Sequence, residues 1–174
     1  TPIAAMSLRW PWSRTARGGA THVIEPVVQL AWSGGSNPNV ANDESTRVEF
    51  DEGNLLSLSR FPAADRRERG LVAAYGLSWT RLGARGLQSN LTFGQITREK
   101  ADNNFSATSG LRGTTSDLMV AGQLQSQKGL SLTARALFDA QFDLAKGEAR
   151  AGWQNPKLAL GASYVWLGAD PAED

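Results

Sequence analysis

The 174-residue chain has no cysteine and only one histidine, His22. The first absence rules out disulfides and thiolate metal sites, and the second leaves no histidine-based metal cluster within the chain. Neither sign of charge is in excess, with 18 basic residues against 17 acidic ones, so the balance gives no support to nucleic acid as a partner. No apolar run approaches the ~18 residues of a transmembrane helix. Thr1 opens inside a strand pattern with neither a charged n-region nor an apolar h-region, so no signal peptide is expected. Two classes remain: a soluble β-protein, or a membrane β-barrel, whose strands alternate and never show a long apolar run.

Alternation is what the chain does have. Ala4, Met6, Leu8, Trp10 and Trp12 share one parity until Pro11 and the run SRTARGG break it. Thr21 to Ser33 puts Ile24, Pro26, Val28, Leu30 and Trp32 on one face and Glu25 and Gln29 on the other, and Pro26, which has no N–H, marks a bulge or a locally unpaired site. Further alternating runs cover 71–80, 87–94, 118–127, 130–142, 145–153 and 158–166, about eight strands in all, with Met119 breaking the parity of its run. The connections alternate in length: medium near Pro11, long at 34–70, short at 82–86, long at 98–115, two residues at 128–129, medium near 143, short at 154–156. All six tryptophans lie on the apolar parity near a strand end. Trp10, Trp12, Trp79 and Trp153 fall on the short-turn side, Trp32 and Trp166 on the long-loop side. Two aromatic girdles and unequal connections predict an all-β, antiparallel up-and-down transmembrane barrel; the competing fold is a soluble β-sandwich, whose strands should be shorter.

The longest connection, Gly34 to Gly70, carries Asp43, Glu44, Glu49, Asp51 and Glu52 in its first half and Arg60, Asp65, Arg66, Arg67, Glu68 and Arg69 in its second. Acidic and basic halves on one loop are expected to fold back and pair, so the loop should be ordered. Between them, Asp51 is a candidate N-cap for a helical turn that would set Leu55, Leu56 and Leu58 against an apolar surface.

This loop and its stems carry a family resemblance. A strand with Glu25 and Pro26, then Pro38 and Asn39, Asp43 and Ser45, Phe50, Asp51, Asn54, Leu55, Leu58, Arg60 and Phe61, then Asp65 and Arg66 and a return strand with Tyr75 and Gly76, resembles the outer-membrane protein of lipopolysaccharide assembly, also called the organic solvent tolerance protein. The chain departs from that pattern at Ala63 and Ala64, where the family often carries a glycine. The resemblance implies that residues 1–174 are part of a larger C-terminal barrel domain that assembles lipopolysaccharide into the outer leaflet through a lateral gate. It also implies a periplasmic jellyroll domain, a plug lipoprotein as partner, periplasmic bridge proteins and an ATP-driven inner-membrane machine as the energy source. The loop is then a lid or a segment folded into the lumen. A chain that starts within a strand pattern and ends in a loop agrees with a fragment.

No catalytic constellation stands out, and neither enzyme activity nor a cofactor is expected. His22 with Glu25 and a serine is the nearest approach to a nucleophilic site. The acidic half of the loop could offer oxygen ligands to Ca²⁺, but its spacing matches no regular ligand pattern. Arg135, Asp139, Lys146, Glu148 and Arg150 share the polar parity of neighbouring strands, which places them toward a lumen where they satisfy a wet interior or meet the plug or the phosphorylated saccharide of passing lipopolysaccharide. A passive porin-like or structural barrel surrounded by outer-membrane lipid is the alternative function.

Overall fold

The computed structural model describes residues 2–36, 48–61 and 66–168. They form a single antiparallel sheet of nine strands: β1 (Ile3–Arg9), β2 (Trp12–Thr15), β3 (Thr21–Ser33), β4 (Gly70–Leu82), β5 (Leu87–Arg98), β6 (Leu118–Ser126), β7 (Leu130–Phe138), β8 (Leu144–Gln154) and β9 (Ala159–Leu167). Each strand from β3 onward pairs with the next in sequence, and β1 and β2 both pair with β3. The order is up-and-down, and the two edges, β1 and β9, do not pair with each other, so the sheet is an open piece of barrel wall. No helix among the described residues is long and apolar enough to cross a membrane, which says nothing of strands.

Pro11 is not a connection, contrary to the expectation above. β1 and β2 continue in one direction along β3, and the chain turns at residues 16–20 instead. The ladder is interrupted where Trp10 and Pro11 face Glu25 and Pro26, with the Trp10 amide donating to the Pro26 carbonyl (3.2 Å). Pro26 therefore turns its missing donor toward the gap left by the other proline, while it keeps regular register with Leu77 of β4. The alternating run 130–142 is likewise not strand throughout. β7 stops at Phe138, and residues 139–143 form a turn in which the Asp139 carboxylate accepts the amides of Gln141 and Asp143 (both 2.9 Å). Phe142, assigned by parity to the strand, sits in that turn at φ 63° with its ring exposed.

The two faces of the sheet differ sharply. One presents Met6, Leu8, Ile24, Val28, Leu30, Trp32, Leu71, Leu77, Leu132, Tyr164 and Trp166 to the surroundings. A sandwich would bury such a face under a second sheet; the described residues contain one sheet only. On the opposite face Val72, Ala74, Ile96, Met119, Ala121 and Leu137 are buried, together with Phe50, Leu55, Phe61, Phe105 and Leu111 from the long connections. Met119 is thus no irregularity. It belongs to the inner parity, in register with Gly94 and Leu137, and its side chain is enclosed. The core of this chain is not between two layers of secondary structure but between a sheet and the loops folded over it.

Candidate functional site

The inner face near the long-loop end is closed by residues 48–61, 66–69 and 99–117. The segment beginning at Glu49 holds itself rigid before it touches anything else. The Asn54 amide donates to the Asp51 carboxylate (2.8 Å), the Asp51 amide donates to Asn54 Oδ1 (3.1 Å), and Asn54 Nδ2 donates to the Glu49 carbonyl (2.6 Å). Asp51 does cap a turn, as its position suggested, although residues 52–56 form a turn and not a helix. Leu55 is driven inward and buried; Leu58, expected beside it, stays largely exposed.

Leu55 enters a notch made of absent side chains. Gly76 and Gly94 face each other across β4 and β5, and a Cβ built on Gly94 would lie 2.6 and 2.8 Å from the two Leu55 methyls; one on Gly76 would lie 2.9 Å from Leu55 and 2.8 Å from the Phe93 carbonyl. The glycine of the Tyr75–Gly76 pair therefore exists as space for the loop. Beside it Phe61 stacks on Phe105, the aromatic anchor of the second long connection, with centroids 4.3 Å apart and planes nearly parallel.

Two arginines and one glutamate lock the two connections together. Glu68 Oε1 accepts from the Arg60 guanidinium (2.8 Å) and from the Arg60 backbone amide (2.9 Å), and Glu68 Oε2 accepts from Arg98 Nε (2.8 Å). The same guanidiniums close the ends of loops: Arg60 donates to the Leu55 carbonyl (2.8 Å), and Arg98 to the carbonyls of Leu111 and Gly113 while lying over the Phe105 ring. All three side chains are nearly fully buried, at 1–3 % exposure. Burial alone would raise the Glu68 carboxyl, but the two guanidiniums hold it below its ordinary value. Arg60 is pushed down from its usual value, first by burial and further by Arg98, against the pull of Glu68. The asymmetry follows from the count: one carboxylate serves two cations.

The two halves of the long loop are expected to pair acid with base. In the described residues, Glu49 instead reaches Lys146 of β8, and Glu52 makes a bidentate contact with Arg135 of β7 (2.6 to 3.1 Å). The carboxylate that Arg60 finds is Glu68, from within the basic half. That half also ties the stems, with Arg69 donating to Ser33 Oγ and to the carbonyls of Gly34 and Ser36, and Arg66 donating to Asn104 Oδ1 (3.0 Å). Asp43, Ser45, Asp65, Pro38 and Asn39 lie outside the described residues.

Below the loop, toward the short turns, the inner wall turns polar. A pocket of about 250 Å³ is lined by Glu52, Asn90, Gln123, Thr133, Arg135, Glu148 and Arg150. Arg135 faces Glu148 directly across β7 and β8, Thr133 faces Arg150, and Lys146 lies within 3.5 Å of Glu148. Four of the five polar residues expected on the inner face are thus on it, and Asp139 is in the turn beyond β7. Asp117 nearby is raised by burial and by the charge of Asp139. The Glu52–Arg135 pair is about half exposed, so Arg135→Ala should cost less than about 1 kcal/mol of stability in urea unfolding; a larger loss would mean the pair holds the loop down.

Glu25 of the strand motif and His22, the two named for a nucleophilic site, are on opposite faces. Glu25 binds Arg9 (3.2 Å) on the inner side, whereas His22 is on the outer side with Nδ1 accepting from Trp79 Nε1 (3.3 Å). The nearest approach to a nucleophilic site is therefore not assembled. Sequence reading did not single out Arg98, Phe105 or Leu111. Phe105 and Leu111 had a signal as large apolar residues in a polar connection, whereas Arg98 is one of three cations there and had none.

The family model described as LptD, LPS transport system D, matches residues 1–174, the whole chain. Among curated proteins, no sequence matches it. The open up-and-down wall, the lipid-suited outer face and the loop-packed inner face agree with the family match: the chain belongs to the LptD family of outer-membrane proteins, which serve lipopolysaccharide transport and cell-envelope biogenesis.

Proposed function

We propose that this chain is one wall of a laterally gated barrel that inserts lipopolysaccharide into the outer leaflet, and that its long connections are the lid folded into the lumen above the saccharide path. Lipopolysaccharide carries acyl chains suited to hydrocarbon and a phosphorylated sugar that is not. A wall that is apolar outside and polar inside lets the two parts travel on opposite sides of the same strands. No bond is made or broken, so the energy comes from elsewhere, through the periplasmic bridge proteins; a plug lipoprotein fills the remaining lumen.

The observation that carries this reading is the change of character along the inner face. Near the loop end it is sealed by Leu55, Phe61, Phe105 and the Arg60–Glu68–Arg98 lock. Toward the turns it opens into a pocket with Arg135 and Arg150, donors that suit phosphate oxygens. A porin-like channel would gain nothing from such a seal.

Photo-crosslinking from the inner wall tests the path. A photoreactive side chain at Thr133 or Asn90, in the full-length protein within its complex in cells, should capture lipopolysaccharide, and the yield should fall several-fold with Arg135→Glu and Arg150→Glu together. Capture from the outer face at Leu132 and none from Thr133 would place the sugar outside the lumen and end this reading.

A further inference from the structure

Charge is distributed along the strands in a way that net charge hides. The short-turn end of the sheet, residues 10–24, 78–91, 122–134 and 150–161, contains none of the seventeen acidic residues and seven basic ones, Arg14, Arg17, Arg81, Arg85, Lys128, Arg150 and Lys157. Four of the seven, Arg14, Arg17, Arg81 and Arg85, lie on or beside the adjacent strands β2, β3 and β4. Trp12, Ile24 and Trp79 are register partners across β2, β3 and β4, and they face outward. Two residues nearer the turns, on the same face, the next register row is Arg14, His22 and Arg81. Arg17 and Arg85 occupy the turns that follow, and those turns touch, since a Cβ on Gly19 would lie 3.3 Å from Ala84 Cβ.

None of Arg14, Arg17, Arg81 and Arg85 has a carboxylate partner among the described residues, in contrast to Arg9, Arg60, Arg98 and Arg135 elsewhere in the sheet. His22 is oriented by Trp79, whose Nε1 donates to His22 Nδ1 (3.3 Å). An aromatic row about one pleat from a cationic row is the arrangement expected where hydrocarbon gives way to headgroups, with ~7 Å between the two rows.

We propose that the Arg14–His22–Arg81 row with Arg17 and Arg85 is a docking surface for anionic glycerophospholipid headgroups in the leaflet at the short-turn side, fixing the depth and tilt of this part of the wall. The occupant follows from the chemistry. The row lies on the outer face beyond the tryptophans, where headgroups are, and not in the lumen. Four guanidiniums without carboxylates call for phosphate, and a zwitterionic headgroup would leave them with a net positive charge. Short turns set the surface on the periplasmic side of an outer-membrane barrel.

The test uses the full-length protein, reconstituted in nanodiscs of phosphatidylcholine with or without about a third phosphatidylglycerol, an amount that supplies ample anionic lipid for juxtamembrane cations. Lipids retained after mild delipidation are counted by native mass spectrometry. Phosphatidylglycerol should be enriched over phosphatidylcholine, and Arg14→Gln, Arg17→Gln, Arg81→Gln and Arg85→Gln together should reduce the enrichment at least tenfold, given a factor of about five for each basic residue at a charged surface. Circular dichroism and heat stability verify that the variant is folded, and Arg81→Gln alone, which leaves most of the surface intact, should lower the enrichment by about that single factor. Equal retention of both lipids by the wild-type protein, or undiminished enrichment in the folded quadruple variant, overturns the proposal. So does enrichment that appears only when lipopolysaccharide replaces phosphatidylglycerol. None of these results bears on the lumenal path, which crosslinking tests separately.

Discussion

Glu68→Gln is expected to destabilise the protein by about 3–5 kcal/mol, the largest effect of any single polar substitution in the described residues. Glutamine keeps the size and one carbonyl acceptor but removes the charge, leaving Arg60 and Arg98 buried against each other with no anion. The side chains cannot escape to water without unpacking, because they also hold the Leu55, Leu111 and Gly113 carbonyls. The result should be release of the two long connections from the sheet, read as a lowered urea midpoint in lipid or detergent and as new protease cleavage within residues 48–61. Glu68→Asp should also fail to restore the wild type, since one fewer methylene cannot bridge two guanidiniums at 2.8 Å on both sides. Stability of Glu68→Gln within about 0.5 kcal/mol of wild type, the range of an ordinary surface change, would show that the lock contributes little.

The same triad predicts a pH dependence. The folded-state pKa of Glu68 lies below its unfolded value, taken as 4.5. Its contribution is therefore complete above that pH and is lost as pH falls through the lowered folded value, where the folded protein must finally take up the proton. Wild-type loops should loosen below about pH 4.5, and Glu68→Gln should flatten that part of the profile.

The second large effect concerns the glycine notch, and here the pairing of substitutions matters more than either alone. Leu55→Ala should cost about 2–5 kcal/mol by leaving a cavity under the loop. Gly94→Ala should cost about 1–3 kcal/mol by overpacking, since the atoms that its new Cβ would strike are the Leu55 methyls and the end of Met119, all side-chain tips. Backbone strain is not involved, as Gly94 is not among the glycines with positive φ. In the double variant the new methyl fills part of the space that Leu55 vacates, so the loss should be smaller than the sum by about 1 kcal/mol or more in a double-mutant cycle. Gly76→Ala provides the contrast. Its Cβ would also lie 2.8 Å from the Phe93 backbone carbonyl, so truncating Leu55 should not rescue it. Strict additivity for Gly94 and Leu55 would mean that the loop does not seat in the notch.

Much of this architecture was legible before any coordinates. Period-two alternation gave the strands and their register faces, because a one-residue slip would turn every apolar side chain to the wrong side. The tryptophans fell on the outer face, as their parity implied. The connection lengths gave up-and-down order, and the residues from Glu25 to Gly76 carried the family. Where parity failed, the cause was local. Pro11 interrupted the pairing along a strand path without ending it, and Asp139 captured two amides and stopped β7 four residues early.

The covering of the inner face could not be read in the same way. Val72, Ile96, Met119 and Leu137 sit on the parity that a wet lumen would make polar, and their apolar character made sense only once Phe50, Leu55, Phe61, Phe105 and Leu111 lay over them. Likewise Glu68, one acid among the arginines of its loop, became the counterion of Arg98, thirty residues away, only after β4 and β5 had brought both connections to one end of the sheet. By itself the sequence determined strand faces and family, since these follow from local periodicity and short-range composition. The tertiary structure decided which loop residues are buried and which carboxylate meets which guanidinium, because burial and ion pairing depend on which distant segments share a space, and no local pattern encodes that.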